Sequence, residues 1–278
     1  MSSTIDNVEA WSGKDKADEN FPVGGIVSAR LRVHVHAFYS FARNADDIAD
    51  SDTLEAQDKI ARLNVMEAVL MGEHDQGSPS ALGLRASLAA TGVTSRHARD
   101  LLVAFRQDAV KQRYASWNEL YDYCRYSAMP VGRHVLDLHG EAPESWVPSD
   151  ALCTVLQVIN HLQDCKKDLL ALNRCYLPDD LMRQYATGID DVLGPAETPG
   201  LRRLFNDVLD RCDALNRDAA PLPRHVRDRR LRVETSIICN LSRRLTARLR
   251  AQDPVAARVK LSKIDFMLSG VSALRFLP

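Results

Sequence analysis

Four aspartates in this chain stand where they could act in pairs. Asp46 and Asp50 close the stretch FARNADDIAD, and Asp164 and Asp168 lie in LQVINHLQDCKKDLL. Each pair is spaced four residues apart, one helical turn, so both carboxylates project from one face. Tyr39 and Arg43 extend the first stripe with Asp47 beside it, and Gln157 and Asn160 extend the second. Like charges one turn apart repel, and burial raises their pKa values. Such pairs are tolerated when a cation sits between them. Oxygen-only ligands suit Mg²⁺, which keeps several waters and is shared between carboxylates and a substrate phosphate. Two such faces carry roughly −4 and would repel a diphosphate of about −3 unless metal ions bridge them.

A single Asp-x-x-x-Asp is usually a solvated face or a capping cluster. Two copies, each in an apolar helix with aligned polar neighbours, point to a site instead. A di-iron bundle would need Glu-x-x-His motifs, and no Glu here is followed three residues later by His.

The elements that must position these residues are helical. Apolar residues recur at three- and four-residue steps over 24–50, 58–72, 81–92, 95–114, 116–140, 149–172, 200–220 and 229–250. Ser95, Ser116 and Ser149–Asp150 are candidate caps, Gly92 and Gly140 candidate ends, and Pro130 should kink or break its helix. Residues 72–83 and 187–200 read as loops. The amphipathic stretch 263–278 reads as a last helix packed on the core, with contact at a bilayer surface as the alternative. Alternating strand patterns are absent. The sequence therefore predicts an all-α fold, with a polar segment over 1–20 and a single domain over 21–278.

Charge excludes some classes of function. The 36 Lys and Arg against 37 Asp and Glu give no case for nucleic-acid binding. No run of eighteen apolar residues is present, and the polar N-terminus lacks a signal-peptide pattern. Six cysteines without a Cys-x-x-Cys pair read as reduced, buried thiols in a cytoplasmic protein. No Gly-x-Gly-x-x-Gly segment marks a nicotinamide site. His34, His36 and His161 read as packed or surface histidines. The basic run 224–232 reads as a solvated helix start, with anionic lipid or diphosphate contact as the alternative.

ARNADDIAD together with LQVINHLQDCKKD resembles the two aspartate-rich motifs of the squalene and phytoene synthase family. YDYCRYSAMPVG and NRCYLP resemble two further segments of that family, in the same order, from Phe21 to Lys263. ENFPVG, FRQDAVKQRY, HLQDC and RVKLS look most like its hydroxysqualene synthase branch in bacterial hopanoid biosynthesis. The resemblance implies an α-helical isoprenoid (terpenoid) synthase fold with both motifs lining an apolar cavity. Carried over by position, Asp46, Asp50, Asp164 and Asp168 are metal ligands, with Asp47 secondary. Arg43 contacts diphosphate, Tyr123 lies near the reacting carbons, and Gln157 and Asn160 are polar residues beside the second motif. Val131 and Gly132 sit where a helix break makes room for the isoprenoid chain. Tyr39 is either a cation-facing ring or core packing. Arg174, Arg258 and Lys260 are phosphate candidates or surface cations.

Two departures from the family stand out. A basic, hydroxyl-rich stretch near the N-terminus is replaced by Asp18–Phe21, with Phe21 kept as a substrate contact, and an Arg before the second motif is replaced by Gln163. Both remove phosphate-binding capacity. The expected activity is therefore Mg²⁺-dependent ionisation of presqualene diphosphate with water capture, giving hydroxysqualene without NADPH. The alternatives are condensation of two farnesyl diphosphates to squalene or presqualene diphosphate, and a non-catalytic assembly factor of the same fold.

Overall fold

The computed structural model describes residues 7–9 and 28–276, and all regular structure among them is helical. Phe21 and the 18–21 stretch lie outside the described residues.

The described residues form two compact units, the first drawn from Met1–Lys111 and Arg133–Gly140. There α1 (Ala29–Asp50) buries Val35, Phe38, Phe41, Ala45 and Ile48, the apolar stripe its spacing requires. That stripe packs on α2 (Ala56–Met71), α3 (Pro79–Thr91) and α4 (Arg96–Asp108). Phe41, Leu63, Met66 and Leu84 are fully buried, each worth about 1.5–3 kcal/mol of transfer free energy. Ser78 accepts from the Ala81 N–H with Pro79 in the first turn, so α3 begins inside the expected loop. Gly92 ends α3 at φ 72°, a left-handed conformation that favours glycine. Ser95 stands at the start of α4 but makes no capping bond, and α4 ends at Asp108 rather than running to 114.

Ser116 caps α5 (Trp117–Ser127) by accepting from the Glu119 N–H. The helix breaks at Ala128 (φ −124°, ψ −50°). Pro130 then lies in the first turn of α6 (Met129–Leu138), where its missing N–H costs no helical bond.

The second unit comprises Gln112–Gly132 and the described part of Glu141–Pro278. Its centre is α7 (Trp146–Leu172), which packs on α5, α10 and α12. Ser149 and Asp150 do not cap α7. Pro148 fits its first turn, so the helix starts at Trp146 and both residues fall inside it. The chain continues through α8 (Asp179–Gln184), α9 (Ile189–Leu193), α10 (Pro199–Ala219), α11 (Leu222–His225), α12 (Arg229–Ala251) and α13 (Lys263–Ala273). Helix α9 occupies part of the expected 187–200 loop, where Asp191 accepts from the Gly188 N–H and the Thr187 hydroxyl. Asp228 caps α12 by accepting from the Leu231 N–H, and Arg229 and Arg230 are exposed, as a solvated helix start requires. All six cysteines are free thiols, five of them buried.

Helix α13 does not pack through its apolar face. It buries Asp265, Ser269 and Ala273 and leaves Ile264, Met267 and Val271 exposed. Arg248 and Ser262 bind the Asp265 carboxylate and hold the polar side inward. No helix of the described residues is long and apolar enough to cross a membrane.

Candidate active site

In the first unit the carboxylates Asp46, Asp47 and Asp50 all fall near the C-terminus of α1, whose last turn carries no basic residue. That end of a helix is the negative pole of its dipole, so their placement is electrostatically uphill. Arg43 offsets part of it. Its Nη2 donates to Asp47 Oδ1 at 2.9 Å, and its Nη1 lies 3.3 Å from Asp46 Oδ2. Asp47 is buried and turned to this guanidinium, with its side chain 4% exposed. Burial first, and Asp50 second, push the Asp46 carboxyl up to about 8 against the pull of Arg43. Asp108, at the end of α4, raises it further. The Asp46 side chain is nevertheless 37% exposed, so it is open to an incoming cation. Tyr39 is half-buried one turn before Arg43.

In the second unit Asp164 is buried on α7, and Arg258 pairs with it through Nε (2.6 Å) and Nη2 (2.8 Å). Gln163 explains how Arg258 arrives there. Its Nε2 donates to the Val259 carbonyl at 2.6 Å, tying the segment after α12 onto α7. Asp168 and Asn160 are half-buried on the same helix, and Gln157 Nε2 lies 3.1 Å from His161 Nε2. Lys260 is exposed.

Helix α7 ends at Asn173 in the left-handed conformation (φ 51°). The turn carries Arg174 and Tyr176 inward. Arg174 is buried rather than a surface cation, and its Nη1 donates to the Tyr176 hydroxyl at 3.2 Å. Tyr176 stacks on His161 with ring centroids 3.5 Å apart, and Tyr114 and Tyr123 lie 5.4 Å and 5.7 Å from it. Burial, with Arg174 adding to it, lowers His161 to about 3, so its imidazole is neutral. Gly132 allows a close approach to α7, because a Cβ there would overlap Ser149 Oγ and Cys153 Sγ. Its space is filled by protein. Val131 beside it is exposed.

The donor set is carboxylate oxygen in both units, as a hard divalent cation requires. The raised Asp46 pKa marks a position short of positive charge. Among the described residues no three His, Cys, Asp or Glu side chains stand close enough to hold a metal by themselves. A bound ion would take its remaining oxygens from water and substrate phosphate, as Mg²⁺ usually does.

The family model for squalene/phytoene synthase matches residues 15–265. The chain belongs to the squalene/phytoene synthase family. It is 43% identical to a hydroxysqualene synthase of Rhodopseudomonas palustris, covering 96% of this chain and 91% of the relative. It is 43% identical to a hydroxysqualene synthase of Sinorhizobium fredii, over 92% and 88%. Among solved structures it resembles squalene synthase HpnC from Alicyclobacillus acidocaldarius at TM-score 0.73 and 33% identity, covering 83% of this chain and 87% of that one. A dehydrosqualene synthase in complex with ligand shares the fold at TM-score 0.79 and 20% identity, over 92% and 90%.

Within this squalene/phytoene synthase chain, sequence reasoning missed Asp108, Tyr114 and Tyr176 as neighbours of the motif residues. Tyr176 lies in NRCYLP, and Asp108 and Tyr114 lie in FRQDAVKQRY, two segments that carry the family resemblance. Each could have been flagged. Nothing along the chain says that Tyr114, Tyr123 and Tyr176 meet, because only the packing of their segments gathers the three rings.

Proposed function

We propose that the chain is a hydroxysqualene synthase, an isoprenoid synthase that ionises presqualene diphosphate and captures the rearranged cation with water. The observation that carries this reading is the 43% identity over 96% of the chain to a relative of that name. Both aspartate pairs expected of the family are intact, which weighs against a non-catalytic scaffold.

In this reading the carbon–oxygen bond to diphosphate breaks with both electrons leaving on oxygen. The cyclopropylcarbinyl cation rearranges, a water oxygen bonds to carbon, and one proton leaves. Mg²⁺ held by Asp46 and Asp50, and by Asp164 and Asp168, would supply charge neutralisation for the departing diphosphate. Arg43 keeps a fixed guanidinium beside the first pair, and Arg258 beside the second. Asp47, buried against Arg43, orients that guanidinium more than it offers a ligand. Tyr123, in a buried aromatic cluster with Tyr114 and Tyr176, would offer a ring that stabilises a carbocation without donating a nucleophile. With Gln163 used as a structural tether and Asp18–Phe21 in place of a basic stretch, the site handles one diphosphate rather than two. Six free thiols accord with a cytoplasmic setting.

The deciding experiment is product analysis by mass spectrometry with presqualene diphosphate or farnesyl diphosphate, with and without NADPH. Hydroxysqualene from presqualene diphosphate alone supports the proposal. Equal turnover of farnesyl diphosphate, or a product that needs NADPH, overturns it. Unaltered Mg²⁺ and diphosphate binding in Asp164→Ala would favour a scaffold.

A further inference from the structure

Helix α13 is amphipathic with its faces reversed. The residues it buries, Asp265, Ser269 and Ala273, follow four-residue steps along one side. On the opposite side Ile264, Met267 and Val271, with Leu274 just beyond the helix, are 62%, 60%, 59% and 56% exposed. Phe266 and Leu268, on the flanks, are 42% and 40% exposed. Exposure thus peaks on the most apolar stripe of the helix.

The orientation is specified, not incidental. Asp265 accepts from Arg248 Nε at 2.8 Å and from the Ser262 N–H and hydroxyl at 2.7 Å, with Arg244 3.6 Å away. Although burial opposes it, these bonds from Ser262 and Arg248 hold the Asp265 carboxyl below its ordinary range. Asn240 adds a bond to Ser272. Turning the helix over would leave two arginines and a carboxylate without their partners, so the apolar stripe is held outward.

We propose that α13 docks the protein on an anionic lipid bilayer, lying in the interface with Ile264, Met267, Val271 and Leu274 in the acyl boundary. Charge complementarity selects this occupant. The whole chain has a net charge of −1, yet over 229–276 every exposed charged side chain is Lys or Arg, while Glu234, Asp253 and Asp265 are buried or half-buried; Arg244 and Arg248 are taken up by Asp265, and Arg258 by Asp164. Lys263 opens the helix and Arg275 follows it, both exposed. The stripe is aliphatic and carries none of the Tyr, Trp or Arg anchors that dominate protein–protein hot spots. A surface helix with an apolar face between cations fits an anionic headgroup layer. The inference stands whichever isoprenoid the site converts.

The test is flotation of the full chain with vesicles of phosphatidylcholine containing a minority of phosphatidylglycerol, and with phosphatidylcholine alone. Binding to the anionic vesicles is expected, weakening as salt is raised. The triple variant Ile264→Ser/Met267→Ser/Val271→Ser should bind roughly tenfold more weakly or not at all. Lys263→Glu/Arg275→Glu, a milder change on exposed positions, should lose the preference for anionic lipid. Circular dichroism checks that each variant keeps its helix content, and the charge variant decides if the triple variant does not fold. The idea is overturned if the wild type ignores anionic vesicles or if both folded variants bind as it does. It is equally overturned if light scattering shows a dimer that the triple variant dissolves while lipid binding is absent, since the stripe would then face a second copy.

Discussion

Gln163 and Val259 are joined across 96 residues of sequence by a 2.6 Å hydrogen bond from side-chain Nε2 to main-chain carbonyl. The bond anchors the segment after α12 on α7 and sets Arg258, the residue before Val259, against Asp164. Gln163 is therefore a tether, where relatives carrying Arg would present a cation.

Gln163→Ala should destabilise the protein by about 1–3 kcal/mol, because a buried carbonyl loses its donor. Urea unfolding measures the loss. The same variant should weaken the Arg258–Asp164 pair, so Gln163→Ala and Arg258→Ala should combine to less than the sum of their separate effects. Full additivity would mean that the tether does not position Arg258.

Arg258→Ala should cost about 1–3 kcal/mol in metal-free buffer, between the values for exposed and buried pairs, since Asp164 is buried and Arg258 partly open. Mg²⁺ with inorganic diphosphate should then raise the thermal midpoint more in this variant than in the wild type, the ion replacing the lost guanidinium. Equal shifts in both proteins would show that cation and Arg258 do not act on the same carboxylate.

Asp46 is raised to about 8 by burial and by Asp50, against an ordinary carboxylate value of about 4. Between those values the folded state holds a proton that the unfolded state has released, so this group makes stability fall as pH rises from about 4 through 8. Asp46→Asn should therefore be more stable than the wild type near pH 8 in EDTA, with the difference closing towards pH 4, while activity is lost. Solvent screening at a side chain 37% exposed keeps the gain small. A variant no more stable than wild type at pH 8 in EDTA would sink this argument.

What the sequence made legible were features that repeat along one helix. The Asp46–Asp50 and Asp164–Asp168 pairs, the core stripe of α1 and the break before Pro130 are written in local spacing. What it hid were relationships between distant segments. Arg258 meets Asp164 from 94 residues away, and Tyr114 joins Tyr123 and Tyr176 only once their segments pack. The apolar stripe of α13 was visible, but its direction was not. Burying an apolar face is the default, and the override comes from Arg244 and Arg248 on α12, which pattern reading along α13 cannot see.

Gly132→Ala should displace the backbone at 132 or force Ser149 and Cys153 into new rotamers together, at about 1–3 kcal/mol for an overpacked contact. Ser149→Ala with Cys153→Ala removes the two overlapping atoms and leaves Ser149 Cβ at 3.8 Å, an ordinary contact. In that background Gly132→Ala should regain most of the lost stability in denaturant unfolding. No regain would show that the glycine is needed for backbone freedom instead of clearance.

His134 is buried with neither ring nitrogen hydrogen-bonded, stacked on Phe38 with centroids 3.8 Å apart. Burial first, then His97 and His34, lower its pKa to about 3. In the unfolded chain a histidine titrates near 6.5. Below that pH the unfolded state binds a proton the folded state refuses, so stability falls as pH drops from 6.5 towards 3. The limiting slope is about 1.4 kcal/mol per pH unit for each such histidine. His161 adds a second group of the same sign. His134→Phe keeps a ring against Phe38 and removes both unpaired nitrogens, so it should stabilise the protein at neutral pH and reduce the acid slope by about one proton. Denaturant unfolding between pH 7 and 5 measures both effects. An unchanged slope would mean that His134 takes up its proton in the folded state as readily as in the unfolded one.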